Sequence, residues 1–203
     1  MDELMIMCFG DSITYGYCAD YGKDYVSLFK AKVKEDFPED RITIRNRGVN
    51  GESSRNGLAR LECELATYSP DLVIMLFGSN DSAYGPWYHV GYEEFSRNYD
   101  LIISGVKAAG AQLILITPPP VIEDEEMPFI ENSVLEGYCE IIREKAEKNS
   151  LKLIDMNKAF KEHPPLAALL QWDGVHISTE GYRLFFETVY ETVRPVIENM
   201  LKK

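Results

Sequence analysis

The stretch Met5-Ile6-Met7-Cys8-Phe9-Gly10-Asp11-Ser12-Ile13-Thr14-Tyr15-Gly16 decides how the chain is read. Apolar residues run without alternation from Leu4 to Phe9, the pattern of a strand buried on both faces of a parallel sheet. Gly10 permits a sharp exit, and the turn that follows delivers the hydroxyl of Ser12. In open parallel sheets ligands bind at such carboxyl ends. A serine hydroxyl alone is a weak nucleophile, so a chemical role for Ser12 requires a base and an oxyanion site elsewhere in the chain.

Outward from that strand, helix and strand patterns alternate. Tyr25, Val26, Leu28, Phe29 and Val33 recur at helical spacing before Pro38, and Ile42 to Asn46 reads as a short second strand. The turn-rich segment 47–54 follows, with Ser53 or Ser54 capping a helix to about Thr67. Leu72 to Phe77 is the most apolar run and the predicted central strand; Gly78-Ser79-Asn80-Asp81 breaks it as abruptly as Gly10 breaks the first. An aromatic segment over 82–91 leads to a helix from about Glu93 to Ala109, capped by Gly110, and a strand from Gln112 to Thr117 that Pro118-Pro119-Pro120 ends. Glu123-Asp124-Glu125-Glu126 reads as a solvated rim. A helix over 131–148, a strand over 152–155 and short helical turns to about Leu170 precede an amphipathic helix over 179–200, whose last turns Pro195 is expected to kink or loosen. The alternation predicts an α/β chain: a three-layer α/β/α sandwich, flavodoxin-like, with a five-stranded parallel sheet in the order 2-1-3-4-5, residues 1–203 forming a single domain.

The 203 residues carry a formal net charge of -12, which argues against nucleic acid or an anionic membrane surface as partner, because both are bound through Lys and Arg. Strand-like residues begin at Leu4 and no apolar run reaches the length of a membrane span, so the expectation is a cytoplasmic chain, or one that has lost a leader. Cys8, Cys18, Cys63 and Cys139 lack metal-type spacing and read as free, mostly packed thiols.

Of the three histidines, His89 and His163 have no carboxylate at an orienting distance in sequence, whereas His176 has Asp173 three residues before it. A turn there lets the carboxylate accept the Nδ1 proton and leaves Nε2 free to take the proton of Ser12. Candidate oxyanion donors sit on the loops after the first three strands: the N–H of Ser12, the N–H of Gly51, which a glycine lets approach a substrate, and the side-chain amide of Asn80. Asp11 and Asp81 read as loop-holding acceptors. Tyr84, Trp87 and Tyr88 either pack over the sheet or line an acyl pocket, with Trp172 and Val175 as further candidates for substrate contact.

Gly10-Asp11-Ser12, Gly51, Gly78-Ser79-Asn80-Asp81 and Asp173-Gly174-Val175-His176 resemble, in order, the four signature blocks of the SGNH (GDSL) hydrolases. Asn46-Arg47-Gly48, Ile116-Thr117-Pro118-Pro119-Pro120 and Trp172-Asp173-Gly174-Val175-His176 resemble in particular the branch of isoamyl acetate-hydrolysing esterases. The resemblance implies ester hydrolysis without metal or cofactor, Ser12 as nucleophile, His176 as base, Asp173 as its orienter, and Gly51 with Asn80 in the oxyanion hole. With no inserted lid, short acyl esters of small alcohols or sugars are the expected substrates; lysophospholipids and thioesters are the alternatives within the family. From other classes, a flavodoxin-like binder without catalysis and cation-dependent phosphoryl chemistry on Asp11, Asp81 and Asp155 are the competing readings.

Overall fold

In the computed structural model, which describes residues 3–85, 88–124, 126, 129–163 and 165–202, the apolar run becomes strand β1 (Leu4–Gly10). It turns directly into a one-turn helix, α1 (Ser12–Tyr15), because the Asp11 carboxylate caps it, Oδ1 accepting the Ile13 N–H at 2.9 Å. Helix α2 (Tyr25–Asp36), capped by Asp24, leads to β2 (Ile42–Gly48); α3 (Ser54–Tyr68) leads to β3 (Leu72–Leu76). A second one-turn helix, α4 (Ser79–Ser82), precedes α5 (Tyr92–Ala108), β4 (Gln112–Ile116), α6 (Asn132–Lys148) and β5 (Lys152–Ile154). Two short helices, α7 (Met156–Lys161) and α8 (Leu166–Leu169), and the long α9 (Thr179–Met200) complete the chain.

All four strand pairings are parallel and the order is β2-β1-β3-β4-β5, as the alternation predicts. Successive side chains of β1 point to opposite faces. Ile6 and Cys8 join the core made with Tyr25, Phe29, Tyr182 and Phe185 of α2 and α9. Met7 and Phe9 join the core made with Phe95, Tyr99, Tyr138 and Ile142 of α5 and α6. Both faces are therefore covered, which is why β1, β3 and β4 carry no polar alternation, whereas the edge strand β2 does.

Register brings the carboxyl ends level: Gly10 pairs with Gly48 on one side and Leu76 on the other, Leu76 with Ile116, and Ile116 with Ile154. The strand order reverses at β1, so the crevice where such sheets bind ligands opens between the loops after β1, β2 and β3.

Several local expectations are corrected. The segments after Gly10 and Gly78 are one-turn helices, not loops, too short to show a hydrophobic period. Strand β2 runs two residues past Asn46, whose side chain bonds both Gly48 N and Thr14 O, joining β2 to α1. Helix α9 ends at Met200, the expected end, with Pro195 inside it and Val193, Val196 and Ile197 buried. Cys8 and Cys139 are packed, but Cys18 and Cys63 are exposed. Among the described residues no helix is long and apolar enough to cross a membrane.

Gly48 is where the end of β2 meets the turn carrying Ser12. A Cβ there would lie 2.1 Å from Tyr15 N and 2.6 Å from the Thr14 carbonyl carbon, both backbone atoms that cannot step aside. Gly48→Ala is expected to cost about 2 kcal/mol or more, a fall in Tm of roughly 4–8 °C. A thermal melt at wild-type Tm would show that this contact is not tight.

Candidate active site

Ser12 opens α1 at the carboxyl end of β1, and its Oγ lies 3.0 Å from His176 Nε2. Asp173 Oδ2 is 2.6 Å from His176 Nδ1, which selects the tautomer with the proton on Nδ1 and leaves Nε2 to accept from Ser12. Asp173 Oδ1 accepts the N–H groups of Val175 and His176, so the carboxylate is fixed by its own turn. Burial would raise the Asp173 carboxyl, but the hydrogen bonds from the His176 ring and the two backbone N–H groups hold it below its ordinary value.

The His176 turn is tied down on both sides. Gln171 N donates to His176 O at 2.7 Å, and Leu170 bridges Ile177. Immediately after it, Ser178 caps α9 at the Gly181 N–H, and Tyr182 Oη donates to Ile13 O at 3.1 Å, joining α9 to α1 beneath Ser12. Tyr17 lies against the imidazole, ring centroids 4.5 Å apart.

A cavity of about 330 Å³ opens above this group, lined by Ser12, Tyr17, Asn50, Gly51, Asn80, Tyr88, Phe129 and His176. The first residue of a helix has no intrahelical acceptor for its N–H, which leaves that of Ser12 free to face a ligand. Gly51 sits at φ +76°; a Cβ there would meet only Tyr88, at 3.6 Å, so the left-handed backbone accounts for glycine better than crowding does. Asn80 Nδ2 donates one hydrogen to Glu52 O at 2.9 Å, which orients the amide and leaves its second N–H available.

The structure thus brings Ser12, His176, Asp173, Gly51 and Asn80 together. Tyr84 is half exposed and outside the cavity lining, its N–H bonded to Phe129 O. Val175 packs beside Val121, Ile130 and Leu135, and Trp172, 90% exposed, borders a separate hollow of about 380 Å³ with Glu123 and Gln171. Trp87 lies outside the described residues. His89 and His163 are exposed, away from the cavity. Tyr17, Asn50 and Phe129 are the lining residues that the sequence does not single out; an aromatic in the glycine-bearing loop after Ser12 is the one available signal. A larger hollow of about 600 Å³ between α2 and the start of β2 lies at the opposite end of the strands, away from Ser12 and His176.

Under the site sit two buried carboxyls. Asp81 Oδ1 and Oδ2 lie 2.9 and 3.1 Å from the Ser54 N–H, and burial, opposed by those bonds, pushes Asp81 up to about 6. Asp11 is pushed up to about 7 by burial, with the Ile13 N–H opposing and the charge of Asp81 adding to the rise; its Oδ2 has no partner among the described residues. Asp155, by contrast, pairs with Arg143 at 2.8 Å and caps α7. These three carboxylates therefore hold structure, each in its own place, and among the described residues no group of three or more metal-type side chains converges.

Residues 8–184 match the GDSL-like lipase/acylhydrolase family model. The chain belongs to that family. It is 26% identical to an acetylxylan esterase of Geobacillus stearothermophilus, over 88% of this chain and 89% of that one. It is 27% identical to the isoamyl acetate-hydrolysing esterase of Saccharomyces cerevisiae, over 95% and 87% of the two chains. Among solved structures it resembles a lipase/acylhydrolase from Enterococcus faecalis with a TM-score of 0.83 at 27% identity, covering 95% of this chain and 96% of that one. A triad and an oxyanion hole are typical of GDSL-like hydrolases, and the chain is a carboxylic ester hydrolase of this family.

The raised Asp11 carboxyl makes stability depend on pH in this GDSL-like hydrolase. Its folded value exceeds the ordinary carboxylate value, so folding takes up a proton between about pH 4 and 7, and stability falls as pH rises through that window. Asn at position 11 keeps the cap on Ile13 without a charge to bury. The Tm of Asp11→Asn relative to wild type is expected to climb as pH goes from about 4 to 8; a difference that stays flat or falls would contradict the buried, raised carboxyl.

Proposed function

We propose that the chain is a serine esterase that cleaves short acyl esters, acetyl esters foremost, of small alcohols or sugars through an acyl-enzyme at Ser12. The observation that carries this is the hydrogen-bonded line from Asp173 through His176 to Ser12, ending in a small cavity that also receives Gly51 and Asn80.

His176 Nε2 takes the Oγ proton as Ser12 attacks the acyl carbon, and Asp173 stabilises the imidazolium that forms. The carbonyl oxygen, now an oxyanion, accepts from the N–H of Ser12, the N–H of Gly51 and the free amide hydrogen of Asn80. Collapse breaks the ester C–O bond, and the departing alkoxide takes the proton from Nε2. Water then attacks the acyl-enzyme, gives its proton to Nε2, and the acid leaves as Ser12 regains its hydrogen.

Short acyl groups fit because about 330 Å³ is at the small end of ligand cavities. Tyr88 and Phe129, edge to face at 5.5 Å, wall one side of it. The two relatives named for acetate esters support an acetyl group, one with xylan and the other with isoamyl alcohol as the alcohol half.

The reading is tested with a series of nitrophenyl esters. Acetate and butyrate are expected to turn over faster than decanoate, with all activity lost in Ser12→Ala. A rate that rises steadily to decanoate would refute the short-acyl assignment, and full activity in Ser12→Ala would refute the nucleophile.

A further inference from the structure

We propose that Arg60, on α3 and outside the cavity lining, is a positioning residue that sets the geometry of the oxyanion site. The proposal rests on the reading of Gly51 and Asn80 as oxyanion donors.

Arg60 spends four donor contacts on four different parts of the fold. Its Nε lies 2.6 Å from Glu52 Oε2 and its Nη1 3.1 Å from Glu64 Oε1. Its Nη2 donates to Gly10 O at 3.2 Å and to Arg47 O at 2.8 Å. The guanidinium also lies over the Phe9 ring, 4.2 Å from the centroid. Gly10 is the last residue of β1, two before Ser12, and Arg47 is the penultimate residue of β2, leading into the loop that carries Gly51. Glu52 follows Gly51 directly, and its carbonyl is the acceptor that orients the Asn80 amide.

One planar group therefore ties together the strand end before Ser12, the strand end before Gly51 and the residue that holds Asn80. These are the three loops whose donors must converge on one oxygen. Charge within the cluster is balanced, because Glu64 also takes both Arg47 Nε and Nη2 at 2.6 Å and Arg60 faces two carboxylates. The side chains of Arg60 and Glu52 are each only 17% exposed, so water competes weakly for these bonds. Lysine cannot reproduce the arrangement: its ammonium is a point donor, whereas the contacts here fan out in the plane of a guanidinium. Misplacement of a reacting geometry by about 1 Å costs on the order of 100-fold in rate.

The test is a double-mutant cycle of Arg60→Lys and Asn80→Ala, read as kcat, KM and the inhibition constant of a trifluoromethyl ketone that forms a tetrahedral adduct on Ser12. Arg60→Lys is expected to lower kcat roughly 10- to 100-fold with KM within about twofold, weakening the ketone in parallel with kcat. Added to Asn80→Ala it is expected to cost much less than it does alone, because both act on one oxyanion. Wild-type kcat and ketone affinity in Arg60→Lys, or losses that multiply in full, would overturn the proposal. Should Arg60→Lys fail to fold, Glu52→Gln keeps the side-chain shape and carries the same test with the same expected direction. If Asn80→Ala itself keeps wild-type turnover, the oxyanion reading fails; if only the Arg60 and Glu52 variants are silent, the positioning role alone fails.

Discussion

Parallel pairing of β1 with both β2 and β3, in a register that sets Gly10 beside Gly48 and Leu76, is the constraint on which the rest of the structure depends. It brings three chain exits to one level, and each exit delivers a different chemical group: a hydroxyl at Ser12, a backbone N–H at Gly51 and an amide at Asn80. A slip of register would separate these groups and turn side chains of a sheet covered on both faces away from their helices. Strand pairing, core packing and the site are thus one geometric solution.

The fourth contributor arrives from far along the chain. Ser12 and His176 are 164 residues apart and meet at 3.0 Å because α9 buries Tyr182, Phe185 and Val189 against the same core as β1. The short distance from Asp173 to His176 is local, set by a turn in which the Asp173 carboxylate accepts the N–H groups of Val175 and His176. A base oriented locally and docked globally tolerates change in the loops between, where the aromatic cavity wall is built.

The long helices were legible because their hydrophobic periods run for many residues, the central strands because their apolar runs are unbroken, and Ser53 caps α3 at one of the two positions the sequence offers. The strand order followed from alternation of the elements. The one-turn helices after Gly10 and Gly78 were not legible, since four residues carry no period and their geometry comes from Asp11 and the sheet register. The grouping of Ser12, Asn80, Asp173 and His176 was suggested by ordered motifs, each beside a predicted element. Phe129 against Tyr88 has no sequence signature, and Tyr17 against His176 shows only as an aromatic beside Gly16, because both contacts depend on how loops fold across the sheet end. The Arg60 cluster shows only its helical pair, Arg60 with Glu64, in the sequence; its bonds to Gly10 and Arg47 exist only once the strands are paired.

The central claim is that Ser12 carries the acyl group during turnover. Acid-quenching the reaction with nitrophenyl acetate within the first turnovers, followed by peptide mapping, tests it most directly. A single acetyl group on the peptide at Ser12, absent after full hydrolysis and never formed in Ser12→Ala, is the expected result. Steady turnover with no acetylated peptide, or acetyl on another residue at full rate, would contradict it.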